Sequence, residues 1–144
     1  SDVYKRQVVG LKDTPGIAFK IFNKLAQQKI NVDIILQSVG RDSTKDITFS
    51  VPKSDAKTAM DSLAALKDSL NYKELTKDES IAKISVVGAG MESHPGVASK
   101  MFEALYDAGI NIRMISTSEI KISVLIDAEY ADKAIKVVHD AFIN

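Results

Sequence analysis

The chain has 144 residues, of which 45% are hydrophobic and 26% charged, and its 19 basic residues balance its 19 acidic ones. This composition excludes disordered and fibrous classes, and the zero net charge argues against nucleic acid or a membrane as a partner. The absence of cysteine excludes disulfides, thiolate metal ligands and a cysteine nucleophile. There is no apolar run of about 20 residues, and a histidine metal cage would need more than the two histidines present. We therefore expect a cytoplasmic protein that holds no metal and no cofactor.

The first half of the chain predicts strands that alternate with helices. Strand patterns cover residues 7–11, 32–39, 46–51 and 72–76. The helices between them carry apolar stripes, formed by Ile17, Ile21, Phe22 and Leu25 in one and by Ala56, Ala59, Met60, Leu63, Leu66 and Leu70 in the other. Pro15 suits the first helical position, with Thr14 as the cap, and Ser54 would cap the second helix.

The second half repeats this order of elements. Strands are predicted over residues 82–87, 112–118 and 121–126. The helical stripes are Val97, Met101, Phe102 and Leu105, followed by Ala131, Ala134, Ile135, Val138 and Phe142. Pro95 again suits the first helical position, with His94 as a weaker cap. No strand pattern follows the last helix.

The two halves are an internal repeat. Residues 15–31 and 95–111 share eight of seventeen positions at an offset of 80. The predicted fold is α+β, with two ferredoxin-like βαββαβ units whose antiparallel sheets carry helices on one face. The predicted domains are residues 1–78 and 79–144. The last strand of the second domain is missing or supplied by another segment.

Motifs for catalysis are weak in this sequence. Gly88-Ala89-Gly90 follows a predicted strand, but Ser93 stands where a dinucleotide fingerprint needs its third glycine. There is no phosphate-binding loop of the Walker type, no paired-carboxylate site, and no basic run long enough for nucleic acid. We therefore assign no catalytic residue.

The duplicated loop before the first helix of each unit is the best candidate for a binding site. Free backbone N–H groups at a helix start bind carboxylates, and Gly16 or Gly96 would let a ligand approach closely. A tight turn with no ligand explains the same residues. Polar groups at nearby strand ends, among them Gln37 and Glu119, could meet an ammonium group.

Three segments of the second half resemble the second ACT domain of aspartate kinases. They are Val86-Val87-Gly88-Ala89-Gly90-Met91, His94-Pro95-Gly96-Val97-Ala98, and residues 111–120 with Ile-Ser-Thr-Ser-Glu at their centre. The first half, with Asp13-Thr14-Pro15-Gly16 and Ile35-Leu36-Gln37, resembles the first ACT domain of that family. The resemblance implies a regulatory region that binds lysine, threonine or both and inhibits aspartate phosphorylation by a separate kinase domain or catalytic subunit. It also implies a homodimer.

The resemblance also implies which residues bind the effector, because family sites lie between ACT domains that pair side by side. The first site would use Asp13, Pro15, Gly16, Ile17, Ala18, Asn31, Val32 and Gln37. The second would use Met91, His94, Val97, Ala98, Asn111, Ile112, Ser118 and Glu119. Asp33 aligns with Arg113, which predicts that a basic effector is repelled from the second site.

Two alternatives remain at this stage. One is a tandem ACT module that serves another enzyme or a transcriptional regulator. The other is a small hydrolase of the acylphosphatase kind, for which residues 12–16 form a poor phosphate-gripping loop.

Overall fold

The computed structural model describes residues 2–40, 42–88 and 96–143. The strands are β1 (Asp2–Lys12), β2 (Ile35–Val39), β3 (Thr44–Pro52), β4 (Glu74–Val87), β5 (Met114–Thr117) and β6 (Lys121–Asp127). The helices are α1 (Ile17–Gln27), α2 (Ala56–Ala65), α3 (Lys67–Leu70), α4 (Val97–Asp107) and α5 (Ala131–Ile143), and short 3-10 turns at Lys53–Asp55 and Ala128–Tyr130 precede α2 and α5. None of the helices described is long and apolar enough to cross a membrane.

The chain forms two compact units, and the first spans Val3–Glu79. Its strand order is β2-β3-β1-β4, and β3 pairs antiparallel with both β1 and β2. Alternate residues of β3 point toward the helices, where Ile47, Phe49 and Val51 are fully or almost fully buried. The ring of Phe22 on α1 packs edge-on against Phe49, with 5.7 Å between centroids. The inward-facing residues of β3 and the apolar stripe of α1 thus pack into one core.

The second unit spans Ser80–Asn144 and repeats this arrangement. Its strand order is β4-β6-β5, with β6 antiparallel to both neighbours. Ile122, Val124 and Ile126 of β6 are buried against Met101 and Leu105 of α4. The α+β fold with two ferredoxin-like units is confirmed.

Helix starts differ from the sequence prediction. Thr14 and Ser54 make no capping hydrogen bond, and the residues at the N-caps of α1 and α2 are Gly16 and Asp55. Gly16 has φ +90°, which is incompatible with a helical residue, so α1 begins only at Ile17 and Pro15 lies outside it. The predicted Pro95 and His94 fall outside the described residues.

Two other elements and one core residue also differ. The second helix of the first unit is split at Leu66, where the Leu63 carbonyl accepts bonds from the Leu66 N–H and the Tyr72 hydroxyl. The strands predicted at 72–76 and 82–87 are parts of one long strand, β4. Ile135 was expected in the core but is 52% exposed, because it borders an open groove between β4 and α5.

Candidate functional site

The loop from β1 to α1 holds the glycine turn expected from the sequence. Gly16 lies directly before α1 in a left-handed conformation, and no side chain caps the helix. A Cβ added at Gly16 would have no neighbour within 4 Å, so there is open space beside the Gly16 backbone. Pro15 beside it is exposed, whereas Ile17 is buried and Ala18 packs partly against the core. The first N–H groups of α1 have no side-chain cap, and they carry the partial positive charge of the helix start.

Asp13 in the same loop is anchored on β3. Its N–H donates to the Ser43 carbonyl at 2.9 Å, and its carboxylate lies 3.6 Å from Lys45 Nζ. Lys45 is only 7% exposed, and the sequence analysis missed it. The signal was present, since Lys45 precedes Ile47 and Phe49 in the inward-facing register of β3. Asp13 thus has a cationic partner already, which reduces its availability for an effector's ammonium group.

Gln37 lies on the exposed edge strand β2. It pairs with Ile47, so its side chain is on the helix-bearing face of the sheet, whereas its neighbour Ser38 pairs with Asp46 and points to the other face. At the turn after β2, the Thr44 hydroxyl donates to Asp42 at 2.6 Å and lowers the pKa of that carboxyl. The side chain of Gln37 is therefore an exposed amide at the middle of β2, on the face of the sheet that carries the helices.

Asn31 and Val32 lie at the other end of this unit. The Asn31 N–H is 3.5 Å from the Asp55 carboxylate, and the N–H of Asp33 donates to the carbonyl of Ser50. Ser50 is five residues along β3 from Lys45, a separation of about 17 Å. Val32 packs partly against the core. One unit alone does not bring Asn31 and Val32 next to Gly16.

The second unit shows part of the equivalent arrangement. Val97, Ala98 and Ile112 pack partly against its core, and Asn111 is exposed. Gly96 precedes α4 without a side-chain cap, and a Cβ added there would also have no neighbour within 4 Å. Unlike Gly16, it has φ −85°, a conformation open to any residue. Met91 and His94 lie outside the described residues.

Ser118 and Glu119 form the turn between β5 and β6. The Ser118 N–H donates to the Lys121 carbonyl at 2.7 Å, and Glu119 is exposed. The N–H of Gly88, at the end of β4, donates to the Ile120 carbonyl at 2.8 Å. This bond ties the end of β4 to the turn that carries Glu119.

Arg113 has an acidic partner that the sequence did not show. Arg113 makes a two-point contact with Asp127, from Nε to Oδ1 at 3.1 Å and from Nη2 to Oδ2 at 3.0 Å. Such a fork pairs the guanidinium with a carboxylate of opposite charge. The alignment with Asp33 did not reveal this partner, and Arg113 therefore repels a basic effector less than the sequence suggested.

An apolar groove lies in the second unit, away from these loops. It has a volume of about 490 Å³ and is bordered by residues of β4 and α5, among them Ile84, Val86, Ile135, Phe142 and Ile143. Within the described parts of the chain, no three His, Asp or Glu side chains are grouped so that they could hold a metal ion.

Comparison with known proteins identifies the repeat. The ACT domain model matches residues 7–66 and 84–142, which are most of both units. The chain belongs to the ACT domain family. An aspartate kinase of Stutzerimonas stutzeri is 46% identical over 141 residues, and an aspartokinase of Helicobacter pylori is 50% identical over 136. These matches cover 98% and 92% of this chain but 34% and 32% of the relatives, so the ACT pair spans about a third of their length.

Solved structures agree with this assignment. The ligand-free regulatory subunit of aspartate kinase from Thermus thermophilus is 42% identical with a TM-score of 0.91, and the match covers 98% of this chain and 93% of that subunit. The tandem ACT units are therefore those of an aspartate kinase regulatory region, as the sequence resemblance implied. E. coli aspartokinase III, solved in complex with lysine and aspartate, is only 21% identical and shares the fold, with a TM-score of 0.72 over 96% of this chain and 31% of that one.

Proposed function

We propose that the chain is a cytoplasmic sensor of lysine, threonine or both, and that effector binding inhibits an aspartate kinase by feedback. The kinase domain or catalytic subunit would be its partner. The similarity to a regulatory subunit of aspartate kinase supports this role. The single observation that carries the binding proposal is the glycine-led, uncapped helix start, which occurs in both units.

An α-amino acid fits such a helix start through its carboxylate. The N–H groups at the start of α1 have no side-chain acceptor, and the open space beside Gly16 admits a ligand close to the backbone. Lys45 lies beside the same loop and pairs with Asp13, so the carboxylate of Asp13 is partly neutralised near the helix start. Carboxylate binding at this position gains from both the helix dipole and this neutralisation.

The complete site would need two ACT units. Gly16 lies at one end of the first unit, Gln37 at the middle of its edge strand β2, and Asn31 and Val32 at the other end. An antiparallel pairing of two first units along β2 would bring Asn31 of one copy toward the Gly16 end of the other. We therefore propose a homodimer in which each effector site takes residues from both copies.

We also propose that the regulatory domains divide at residues 78/79 and that a segment outside the second domain supplies its last strand. The groove beside Ile84 and Val86 has the apolar lining that such a strand would cover. Hydrogen exchange tests this prediction. Between Ile81 and Val87 of β4, amides that do not bond to β6 should exchange slowly only when the added strand is bound. Rapid exchange of those amides in the complete regulatory region would refute the proposal.

Thermal unfolding with lysine and threonine, separately and together, tests effector binding. A ligand at a hundredfold excess over its Kd stabilises the folded state by about 2.7 kcal/mol, which raises Tm by several degrees. Gly96→Val should abolish binding at the second site without backbone strain, because its φ is −85°. Gly16→Val should do so at the first site, but it must be compared with its own ligand-free Tm, since φ +90° strains valine.

Gln37→Ala and Ser38→Ala form a matched pair on the two faces of β2. Loss of the Gln37 amide should weaken the first site by about 1–3 kcal/mol, because a ligand group loses its partner. Ser38→Ala should leave affinity unchanged in calorimetry. If neither amino acid shifts the wild-type Tm at millimolar concentration, the sensor assignment fails.

A further inference from the structure

A second cavity, in the first unit, has a basic lining. Its volume is about 290 Å³. It lies between the start of β1, the part of β4 that belongs to the first unit, and the beginning of α2. The residues that border it include Tyr4, Arg6, Lys53, Lys57, Asp61, Lys77 and Glu79. Arg6 pairs with Phe49 in the sheet, whereas the Asp13 loop adjoins Lys45 at the other end of β3. The cavity is therefore separate from the glycine turn before α1.

Arg6 is the unusual member of this lining. Its side chain is 2% exposed, and it points from β1 toward the beginning of α2, where Nη2 lies 3.3 Å from the Ala56 carbonyl. Nη2 also donates to Glu79 at 3.0 Å, and Nη1 donates to the Lys5 carbonyl at 3.1 Å. Its Nε is buried and has no acceptor among the described residues. A buried donor without a partner is unfavourable, so an acceptor reaching this guanidinium would be stabilising.

The remaining charges leave the cavity positive. Arg6, Lys53, Lys57 and Lys77 supply four cations, against the carboxylates of Asp61 and Glu79. Asp61 is already paired with Lys57 at 3.0 Å, and Glu79 with Arg6. Within the described parts of the chain, Lys53 and Lys77 have no carboxylate within 4.0 Å. Two positive charges are left to attract an anion.

The backbone at this position favours an anion as well. Lys53 opens the 3-10 turn that leads into α2, and neither the turn nor the helix has a side-chain cap. The first N–H groups of a helical segment have no carbonyl acceptor within it and carry the positive end of its dipole, part of which the Asp55 carboxylate in the first turn offsets. Their orientation adds to the charge of the lysines.

We propose that this cavity binds a phosphate group, held by Arg6, Lys53 and Lys77. A doubly charged oxyanion matches the two unpaired cations, and its several oxygens can accept bonds from guanidinium and ammonium donors together. A zwitterionic amino acid fits less well, because both carboxylates at the cavity already have cationic partners. The phosphate could be free inorganic phosphate or part of a phosphorylated metabolite.

Thermal unfolding of the whole chain with inorganic phosphate tests the site. Phosphate should raise Tm by several degrees above sodium chloride at the same ionic strength. ATP, as a second ligand, distinguishes the sources: tighter binding than inorganic phosphate would assign the site to a phosphorylated metabolite. An equal Tm in phosphate and chloride, with no heat of binding in calorimetry, would overturn the proposal.

The variant Lys53→Gln/Lys77→Gln removes two exposed cations and keeps Arg6, so the fold should survive. It should weaken phosphate binding about tenfold or more, because two cations that contact the phosphate are lost. Lys136→Gln, an exposed lysine paired with Asp140 in the second unit, is the matched control and should bind phosphate like the wild type. Equal phosphate affinity in the double variant and the control would also overturn the proposal. Lysine and threonine binding should be unaffected in both, so this test is independent of the effector sites.

Discussion

Lys29 has a backbone φ of 58°, a left-handed conformation that is unfavourable for a lysine. It follows α1, and its N–H donates to the Ala26 carbonyl while the next N–H, that of Ile30, donates to Leu25. The repeat places Gly109 at the equivalent position after α4, with φ 73° and the same pair of bonds. Glycine has no Cβ to clash in this region. The second copy of the repeat therefore has the glycine that this turn favours, whereas the first copy has Lys29 there.

Lys29→Gly is expected to stabilise the protein by about 0.5–1 kcal/mol, because the strain of the left-handed residue exceeds the entropy that glycine adds to the unfolded chain. For a chain of this size, Tm should rise by about 2–4 °C per kcal/mol in calorimetry. Gly109→Lys is the reciprocal control and should destabilise by a similar amount. A decrease in Tm for Lys29→Gly would show that the lysine side chain stabilises the turn.

At the scale of elements, periodicity predicted the strands and helices because alternating and 3.6-residue patterns follow directly from burial. The boundaries were less predictable, since they depend on contacts made elsewhere in the chain. Tyr72 lies beyond the short helix α3, nine residues from Leu63. Its hydroxyl donates to the Leu63 carbonyl and helps to end α2. The sequence predicts a turn at Gly16. It does not predict the positive φ of Gly16, which excludes Pro15 from α1.

Tyr72→Phe tests that helix end. Burial raises the pKa of Tyr72 above its usual value of 10.0, so its contribution to stability is complete below pH 10 and is lost as pH rises through the folded-state pKa. At pH 7 the variant should lose about 1 kcal/mol, because the buried Leu63 carbonyl loses one donor. Above pH 10 the difference from wild type should shrink, as measured by urea unfolding. Tyr106→Phe, at an 81% exposed position, is the control and should show neither effect.

At the scale of the whole molecule, the internal repeat was enough to predict two units of one fold. The site was less predictable, because residues adjacent in an aligned motif are not adjacent in space. Asn31 belongs to the same predicted site as Gly16, yet it contacts Asp55 at the far end of β3. Sequence alignment also could not show the partners of charged residues, such as Asp127 for Arg113 and Lys45 for Asp13.

The edge strand β2 is the basis for predicting that the chain forms a dimer. All five of its residues are exposed, and three are large and apolar: Ile35 at 54%, Leu36 at 51% and Val39 at 58%. An edge strand of this kind presents unpaired N–H and C=O groups together with apolar side chains, which a second copy would cover. Sedimentation should therefore give about twice the 15.7 kDa mass of one chain, and more completely with effector present.

Leu36→Lys should shift this equilibrium toward monomer by at least about tenfold in Kd, because a charge would be buried in the β2 pairing. Phe19→Lys replaces a residue that is 70% exposed on α1, not on the edge strand, and should leave the dimer intact. If the Leu36→Lys and Phe19→Lys dimers dissociated equally, the dimer contact would lie away from β2. A strict monomer of the wild type at high concentration with saturating effector would contradict both the dimer and the two-copy effector site, since Asn31 and Gly16 could then not meet.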